Sequence, residues 1–279
     1  MNKKNGSQAP IGAFDSGIGG LSVLRAIQQR LPGEDFIYIG DQANVPYGPK
    51  GLAEVRRLSE GIVRFLMGQR AKLIVIPCNT ASAAALHSLR RQNPGYPFVG
   101  MEPAVKPAAE HTETGVVGVL ATPTTFEGEL YASVVERFGR DVTILQDTCP
   151  GLVNEIEAGR AEGPEARRIL EGALKPMLAK GLDTVVLGCT HYPFAFETIR
   201  EIVGEMVRMV NPAPAIARRV EQLLDEMDLK NPRSNGGQTR YLTSGDPEAM
   251  KIRLKELLGE RSEVEKVTWM ENGLQLSSG

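Results

Sequence analysis

The stretch Leu73-Ile-Val-Ile-Pro-Cys-Asn-Thr80 begins with four consecutive apolar residues and ends with three polar ones. An alanine-rich segment from Thr80 to Arg91 follows it. A short, continuous apolar run is typical of a strand that is buried on both faces, as in a parallel sheet. The stretch therefore predicts a buried strand with polar side chains at its end, followed by a helix.

The same alternation of short apolar runs and longer helical patterns extends along most of the chain. The predicted strands are Ile11–Phe14, Phe36–Ile39, Leu73–Ile76, Phe98–Val99, Val116–Leu120, Val142–Leu145, Thr184–Leu187 and Val207–Val210. The predicted helices are Leu21–Leu31, the segment from Leu52 to Leu66, Thr80–Arg91, Thr125–Phe138, Leu152–Ala158, Glu165–Ala179 and Ile216–Met227. This alternation predicts an α/β fold with mostly parallel sheets that helices cover on both faces.

The last part of the chain has a different pattern. Lys230–Gly237 is polar and contains proline and two adjacent glycines, which predicts a loop. Beyond it we expect a strand at Arg240–Thr243, a helix at Pro247–Leu258 and a last strand at Val264–Trp269.

Two pairs of segments resemble each other. Ile11-Gly-Ala-Phe-Asp-Ser16 aligns with Val117-Gly-Val-Leu-Ala-Thr122, and Ile74-Val-Ile-Pro-Cys-Asn-Thr80 aligns with Val185-Val-Leu-Gly-Cys-Thr-His191. Each half of the chain thus offers one strand that ends in a hydroxyl residue and one that ends in a cysteine. The similarity is compatible with an internal duplication.

Composition limits the classes of protein that remain. The 279 residues allow one large or two moderate domains, and 42% hydrophobic residues are ordinary for a globular protein. The net charge of -2 gives no basic excess for nucleic acid or an anionic membrane. Residues 1–10 read as a polar tail rather than a signal peptide, and no apolar run reaches the ~18 residues of a membrane helix. We therefore expect a cytoplasmic protein.

Four polar clusters follow predicted strands. They are Asp15-Ser-Gly-Ile-Gly-Gly-Leu21, Asp41-Gln-Ala-Asn-Val-Pro-Tyr-Gly48, Cys78-Asn-Thr80 and Cys189-Thr-His191. Ligands of parallel α/β sheets bind at the carboxyl ends of strands, so these clusters predict the site. The glycines of the first cluster lack both the dinucleotide and the P-loop patterns and are better suited to a sharp turn beside a small ligand. Asp15 could alternatively cap the helix that follows.

Cys78 and Cys189 differ from Cys149, the third cysteine, in their local sequence. Each follows a four-residue apolar run and precedes a helix or turn, where the helix dipole and free N–H groups favour a thiolate. No comparable strand end leads into Cys149, so we expect a structural role for it. Two rival interpretations use His191: a zinc site, for which the ligand spacing is poor, and a Cys–His hydrolase, which leaves Cys78 unexplained.

These clusters together resemble the motifs of glutamate racemases. The resemblance lies in Asp15-Ser-Gly-Ile-Gly-Gly-Leu21, Pro46-Tyr-Gly48, Pro77-Cys-Asn-Thr-Ala-Ser82 and Gly188-Cys-Thr-His-Tyr-Pro193 and extends from Ile11 to about Trp269. It implies two pseudo-symmetric three-layer αβα domains with the active site in the cleft between them. It also implies that residues 1–101 and 212–279 form the first domain and that residues 102–211 form an inserted second domain.

The resemblance implies racemisation of glutamate by two bases, without a cofactor or a metal. Cys78 would take the proton from Cα of one enantiomer while Cys189 protonates the opposite face, and the reverse reaction exchanges their roles. A thiol suits this task because its ordinary pKa of ~8.5 needs only a modest shift to titrate near neutrality. The product, D-glutamate, would supply peptidoglycan synthesis.

The resemblance also implies roles for the neighbouring residues. Asp15 and His191 match family residues that assist proton transfer and hold the substrate. Glu157 matches a third acid of the family, with Glu155 as the alternative. The substrate-binding positions would be Asp15, Ser16, Tyr47, Gly48, Asn79, Thr80, Thr190 and His191, with Thr122, Thr124 and Thr125 as further candidates. Neutral donors and helix N-termini would then bind the substrate's carboxylates, because the motifs contain no lysine or arginine.

We expect glutamate to be the small-molecule partner and the chain to form a homodimer, without nucleic acid or membrane partners. Two other functions stay open at this point. The chain could racemise aspartate or a related amino acid, or it could bind an acidic amino acid without converting it. Exchange of the α-hydrogen in deuterium oxide distinguishes an enzyme from a binding module.

Overall fold

The structure, a computed structural model, describes residues 6–277, so part of the polar segment 1–10 and the last two residues of the chain lie outside the described residues. The strands are β1 (Ile11–Asp15), β2 (Phe36–Gly40), β3 (Leu73–Ile76), β4 (Phe98–Gly100), β5 (Val116–Leu120), β6 (Thr143–Asp147), β7 (Thr184–Leu187), β8 (Arg208–Val210), β9 (Thr239–Thr243), β10 (Val264–Met270) and β11 (Gly273–Leu276). The helices are α1 (Leu21–Arg30), α2 (Leu52–Gly68), α3 (Asn79–Gln92), α4 (Val105–His111), α5 (Pro123–Phe126), α6 (Glu129–Phe138), α7 (Leu152–Glu157), α8 (Pro164–Leu178), a 3₁₀ turn (Tyr192–Ala195), α9 (Phe196–Val203), α10 (Ala213–Glu226) and α11 (Pro247–Leu258).

The strands form two sheets. The first has the order β11-β10-β9-β2-β1-β3-β4 and the second has the order β6-β5-β7-β8. Every pairing is parallel except that of β10 with β11. The predicted α/β class with mostly parallel sheets is therefore confirmed.

The two sheets share one internal topology. In β2-β1-β3-β4 and in β6-β5-β7-β8 the strands stand in the same relative order. The repeat noticed in the sequence accordingly places β1 opposite β5 in the alignment, and β3 opposite β7. All strands of the second sheet lie between β4 and β9 in the sequence. The boundaries of the two domains, 1–101 with 212–279 and 102–211, stay a prediction.

Helices cover both faces of each sheet, because alternate residues of the buried strands point to opposite sides. In β3, Leu73 and Val75 pack in the apolar cluster that contains α1 and α10. Ile74 and Ile76 pack in the cluster that contains α2 and α3. Each such side chain is fully buried, and its burial contributes about 1.5 to 3 kcal/mol before the entropy of folding is counted.

Several elements differ from the sequence prediction. The single helix expected at Thr125–Phe138 is wrong, because the chain forms α5 and α6 with extended backbone at Gly128 between them. A Cβ at Gly128 would lie 2.6 Å from that of Ala83, so glycine lets this break approach α3 closely. The predicted last strand is followed by another, β11, and α4, α9 and the 3₁₀ turn were not predicted. Within residues 6–277, no helix is both long and apolar enough to cross a membrane.

A buried ion pair lies between the residues that precede β2 and β3, and it also contacts the segment before β9. Lys72 pairs with Glu34, and each side chain is 2% exposed. The second carboxylate oxygen of Glu34 accepts a hydrogen bond of 2.7 Å from the backbone N–H of Asn231. Burial lowers the pKa of Lys72, although its bond to Glu34 acts in the opposite direction. The pair therefore depends on both partners being present.

We expect Lys72→Met to lower the free energy of unfolding by about 3 to 5 kcal/mol, because it leaves the Glu34 carboxylate buried without its cation. Urea denaturation followed by circular dichroism measures this change. Lys175→Met is the matched control, since the Lys175–Glu171 pair lies on the surface of α8 and its loss should change stability little. Equal effects of the two substitutions would contradict the importance of the buried pair.

Candidate active site

The carboxyl ends of strands from both sheets meet at one small cavity. Its volume is about 10 Å³, room for about one water molecule. The residues that line it are Ser16, Pro46, Tyr47, Gly48, Cys78, Asn79, Thr80, Thr122, Val153, Cys189, Thr190 and His191. The structure thus brings together both cysteines and most of the predicted substrate-binding residues. Asp15 does not line the cavity but bonds to Ser16 and Thr190, which do, and the further candidates Thr124 and Thr125 do not line it either.

Cys78 comes from the end of β3 and occupies the N-cap of α3. Its Sγ accepts a hydrogen bond of 3.4 Å from the backbone N–H of Ala81. Burial nevertheless raises the pKa of the thiol, and the nearby Asp15 carboxylate raises it further. The sequence predicted that the helix N-terminus would favour the thiolate here. The Ala81 N–H does act in the predicted direction, but the loss of hydration on burial outweighs it.

Cys189 comes from the end of β7 and belongs to a chain of polar contacts. Its Sγ lies 3.8 Å from His191 Nδ1, and His191 Nε2 lies 2.6 Å from Glu157 Oε1. The same oxygen accepts a hydrogen bond of 2.8 Å from the backbone N–H of Ile18. These contacts therefore connect the end of β7 with α7 and with the loop after β1.

The surroundings of His191 and Glu157 favour the charged form of both side chains. Burial alone would lower the pKa of His191, but its bonds to Cys189 and Glu157 raise the pKa well above the ordinary value. Burial alone would raise the pKa of Glu157, but its bonds to His191 and to Ile18 lower it. The group next to Cys189 is therefore an imidazolium that a carboxylate holds in place.

Asp15 lies between the two halves of the site. It accepts hydrogen bonds from Thr190 Oγ1 at 2.9 Å, from the Gly17 N–H at 3.0 Å and from Ser16 Oγ at 3.4 Å. It does not cap α1, whose N-cap is Gly20. Burial raises the pKa of Asp15 in spite of these bonds and of the nearby His191. The carboxyl group therefore contacts residues on both sides of the cavity.

Asn79 is the exception among the polar side chains that line the cavity. It is 2% exposed, yet neither its Nδ2 nor its Oδ1 has a hydrogen-bond partner. Of the other buried side chains within residues 6–277, only Asn231 also has an unpartnered polar atom. A buried amide without partners is costly, so this arrangement points to a polar ligand that completes its hydrogen bonds.

Several hydroxyls of the predicted site already bind other side chains. Tyr47 OH donates to Asp41 Oδ2 at 2.6 Å. Thr80 Oγ1 lies 2.8 Å from Thr122 Oγ1, which links the first half of the chain to the second. Thr124 Oγ1 donates to the carbonyl of Gly48 at 2.7 Å and crosses the same boundary. The last two bonds connect the two halves of the chain beside the cavity.

Glu155, Cys149 and Gln42 lie in different places relative to the cavity. Glu155, the alternative to Glu157, pairs with Arg160 on the surface instead of entering the site. β6 ends at Asp147, two residues before Cys149, but unlike β3 and β7 it is not a fully buried strand. Cys149 is buried but does not line the cavity. Gln42, whose amide lies beside Glu157, was not predicted as a site residue.

Metal ligands and a second, larger cavity were the other places in which a site could lie. Between residues 6 and 277, no group of three or more His, Cys, Asp or Glu side chains is placed to hold a metal ion. A larger cavity of about 540 Å³ is lined by Arg90, Glu102 and Arg219 among others, and none of the three cysteines lines it.

Comparison with known proteins identifies the family to which this chain is similar. The sequence pattern of the Asp/Glu/Hydantoin racemase family matches residues 16–220. A glutamate racemase of Ectopseudomonas mendocina is 46% identical over 260 residues, which cover 93% of this chain and 98% of the relative. One from a Roseiflexus species is 48% identical over 243 residues, covering 87% and 89%. The crystal structure of Francisella tularensis glutamate racemase in complex with D-glutamate has a TM-score of 0.82 at 29% identity, covering 94% and 98%.

The α/β fold with two similar sheets and the family match over residues 16–220 together define an amino-acid racemase. The chain therefore belongs to the Asp/Glu/hydantoin racemase family. Its enzyme class is that of the glutamate racemases, isomerases that act on amino acids.

Gly17 offers a direct test of the Glu157 position. A Cβ at Gly17 would lie 1.9 Å from Glu157 Oε1, so Gly17→Ala must displace the carboxylate from His191. We expect a roughly 100-fold loss of racemase activity with little loss of stability, because misplacement by about 1 Å has effects of that size. Gly68→Ala is the control, since a Cβ there meets nothing within 4 Å. Normal activity of Gly17→Ala would contradict a role for the Glu157–His191 contact.

Proposed function

We propose that this chain interconverts L-glutamate and D-glutamate by direct proton transfer between Cα and two thiols, those of Cys78 and Cys189. The observation that carries the proposal is that both cysteines line one cavity from equivalent positions, after β3 and after β7, in two similar sheets. Two bases are needed because a proton leaves one face of Cα while another arrives on the opposite face. A single group could serve both faces only after a large rotation.

The protons balance across one turnover. In one direction the thiolate of Cys78 takes the α-proton, and the electron pair left on the substrate takes the proton of the Cys189 thiol. The enzyme then holds the complementary pair, a Cys78 thiol and a Cys189 thiolate, which is the starting state for the other enantiomer. The imidazolium of His191 would stabilise that thiolate, and Glu157 would hold the imidazolium in place.

Substrate binding would change the electrostatics at Cys78. The thiol has a raised pKa because it is buried near the Asp15 carboxylate. The ammonium group of an amino acid placed beside Asp15 would offset that negative charge and lower the pKa of the thiol. The base would then form mainly when a substrate is present.

The residues at the helix N-termini are suited to the two carboxylates of glutamate. Asn79 has an unpartnered amide and begins α3, and the Thr122 side chain lines the same cavity. Free N–H groups at a helix N-terminus bind anions without a basic side chain. Ser16, Tyr47, Gly48, Thr80, Thr190 and His191 would form the rest of the binding surface. The D-glutamate complex of the Francisella tularensis relative supports this choice of ligand.

Glutamate is much larger than a cavity of about 10 Å³, so entry would require the halves of the site to separate. The bonds of Thr80 with Thr122 and of Thr124 with Gly48 would break and re-form in each turnover. In the cell, we propose that the D-glutamate supplies peptidoglycan synthesis from the cytoplasm. A homodimer stays a prediction.

The first test follows deuterium from the solvent. Each glutamate enantiomer is incubated separately with the protein in deuterium oxide, and the two enantiomers are then separated and examined by mass spectrometry. We expect early deuterium at Cα of the product enantiomer and hydrogen retained in the recovered substrate, because each thiol faces one side of Cα. Deuterium in both enantiomers at equal early rates would refute the two-base mechanism. No exchange at all would instead indicate a binding module.

The second test removes each thiol. Cys78→Ala and Cys189→Ala should each lower the rate of racemisation by at least about 100-fold, because general acid–base groups contribute that much or more. Thermal unfolding should show that both variants stay folded. Cys149→Ala is the matched control, since Cys149 is equally buried but lies outside the cavity, and it should stay active. Inactivity of Cys149→Ala alone would refute the assignment of the bases.

A further inference from the structure

Gln42 lies at the start of the loop after β2, in the same polar cluster as Tyr47 and Gly48, which line the cavity. The side chain is partly buried and lies between the end of β9 and helix α7. Its amide makes two hydrogen bonds, one to each side. It does not line the cavity, so it does not contact a substrate there.

The neighbours of Gln42 fix the direction of its amide. Thr243 Oγ1 lies 2.7 Å from Gln42 Oε1, which can only accept, so the hydroxyl donates this bond. The hydroxyl oxygen in turn accepts from the Gly245 N–H at 2.9 Å. With Oε1 held by Thr243, the NH₂ group of Gln42 points at Glu157 Oε2, 3.4 Å away.

Glu157 receives its other bonds on the opposite oxygen. His191 Nε2 and the Ile18 N–H both contact Oε1. Gln42 is the hydrogen-bond donor to Oε2 and therefore controls the rotation of the carboxylate about its last bond. A carboxylate free to rotate would hold the His191 ring in a less definite position.

We propose that Gln42 is a positioning residue, which orients Glu157 and through it the His191 ring beside Cys189. The proposal rests on the function proposed above and concerns only one of its two thiols. Gln42 has no hydrogen bond to Cys78 or to Asp15 in the described part of the chain. Loss of Gln42 should therefore impair proton transfer at Cys189 and leave transfer at Cys78 unchanged.

The test uses Gln42→Met, which keeps the length of the side chain but removes both hydrogen bonds. We expect kcat to fall about tenfold while KM changes less than twofold, since the altered bond supports a group of the reaction rather than the binding surface. Thr243→Val, which releases the amide of Gln42 without removing it, should give a smaller effect of the same sign.

The decisive readout compares the two enantiomers of α-deuterated glutamate. If transfer at Cys189 is slowed, the primary isotope effect on kcat should rise for the enantiomer whose proton Cys189 takes. It should fall for the other enantiomer, because protonation by Cys189 then limits the rate instead of deuterium removal by Cys78. A general structural defect would change both isotope effects in the same direction.

Gln28→Met is the matched control. Gln28 Nε2 also donates to a threonine of β9, Thr239 Oγ1, at 3.0 Å, but at the end of the strand away from the site. It should keep wild-type kcat and isotope effects. Equal behaviour of the two glutamine variants, or isotope effects that move together in Gln42→Met, would overturn the positioning role. A wild-type protein without α-hydrogen exchange would instead refute the proposed function itself.

Discussion

One largely buried carboxylate, that of Glu157, joins several parts of this molecule that proton transfer would need. Its oxygens are bound by the backbone of the loop after β1, by the imidazole after β7 and by the amide after β2. A charged group cannot be buried without such partners, so the position of each strand end is constrained by the same few bonds. Glycine at position 17 is required for the carboxylate to come this close to the backbone. The geometry around the second thiol thus depends on both sheets at once.

The two thiols have different surroundings although their positions in the two sheets are equivalent. Cys189 has an imidazole beside it, whereas Cys78 has backbone donors and a nearby carboxylate. A racemase must bind two mirror-image substrates that keep the same side chain, so its two faces need not be chemically identical. Under the proposed mechanism, what they must share is the ability to exchange one proton with Cα. The pseudo-symmetry of the fold supplies the placement, and the local residues supply the acid–base properties.

Much of the fold could be predicted because parallel strands buried on both faces leave continuous apolar runs, such as Leu73–Ile76 and Thr184–Leu187. The polar residues after those runs identified the cavity-lining side chains for the same reason. The pKa of Cys78 was not predictable, since it depends on burial by residues distant in sequence. Gln42 was missed because its partners, Glu157 and Thr243, lie more than a hundred residues away. The break at Gly128 was missed because it depends on the close approach of the backbone to α3, which the local periodicity does not reveal.

The arrangement of the strands has a consequence for how the molecule is assembled. The second sheet is built from one uninterrupted stretch of chain. In the first sheet β2 pairs with β9, which brings Phe36 next to Thr239. Contacts between such distant residues form slowly, because a long loop has to close first. During synthesis on the ribosome, β5 to β8 can emerge and fold while the other sheet still lacks three of its strands. The loop that carries Gln42 and Tyr47 gains its final neighbours, Thr243 and Trp269, only after the whole second sheet has been synthesised.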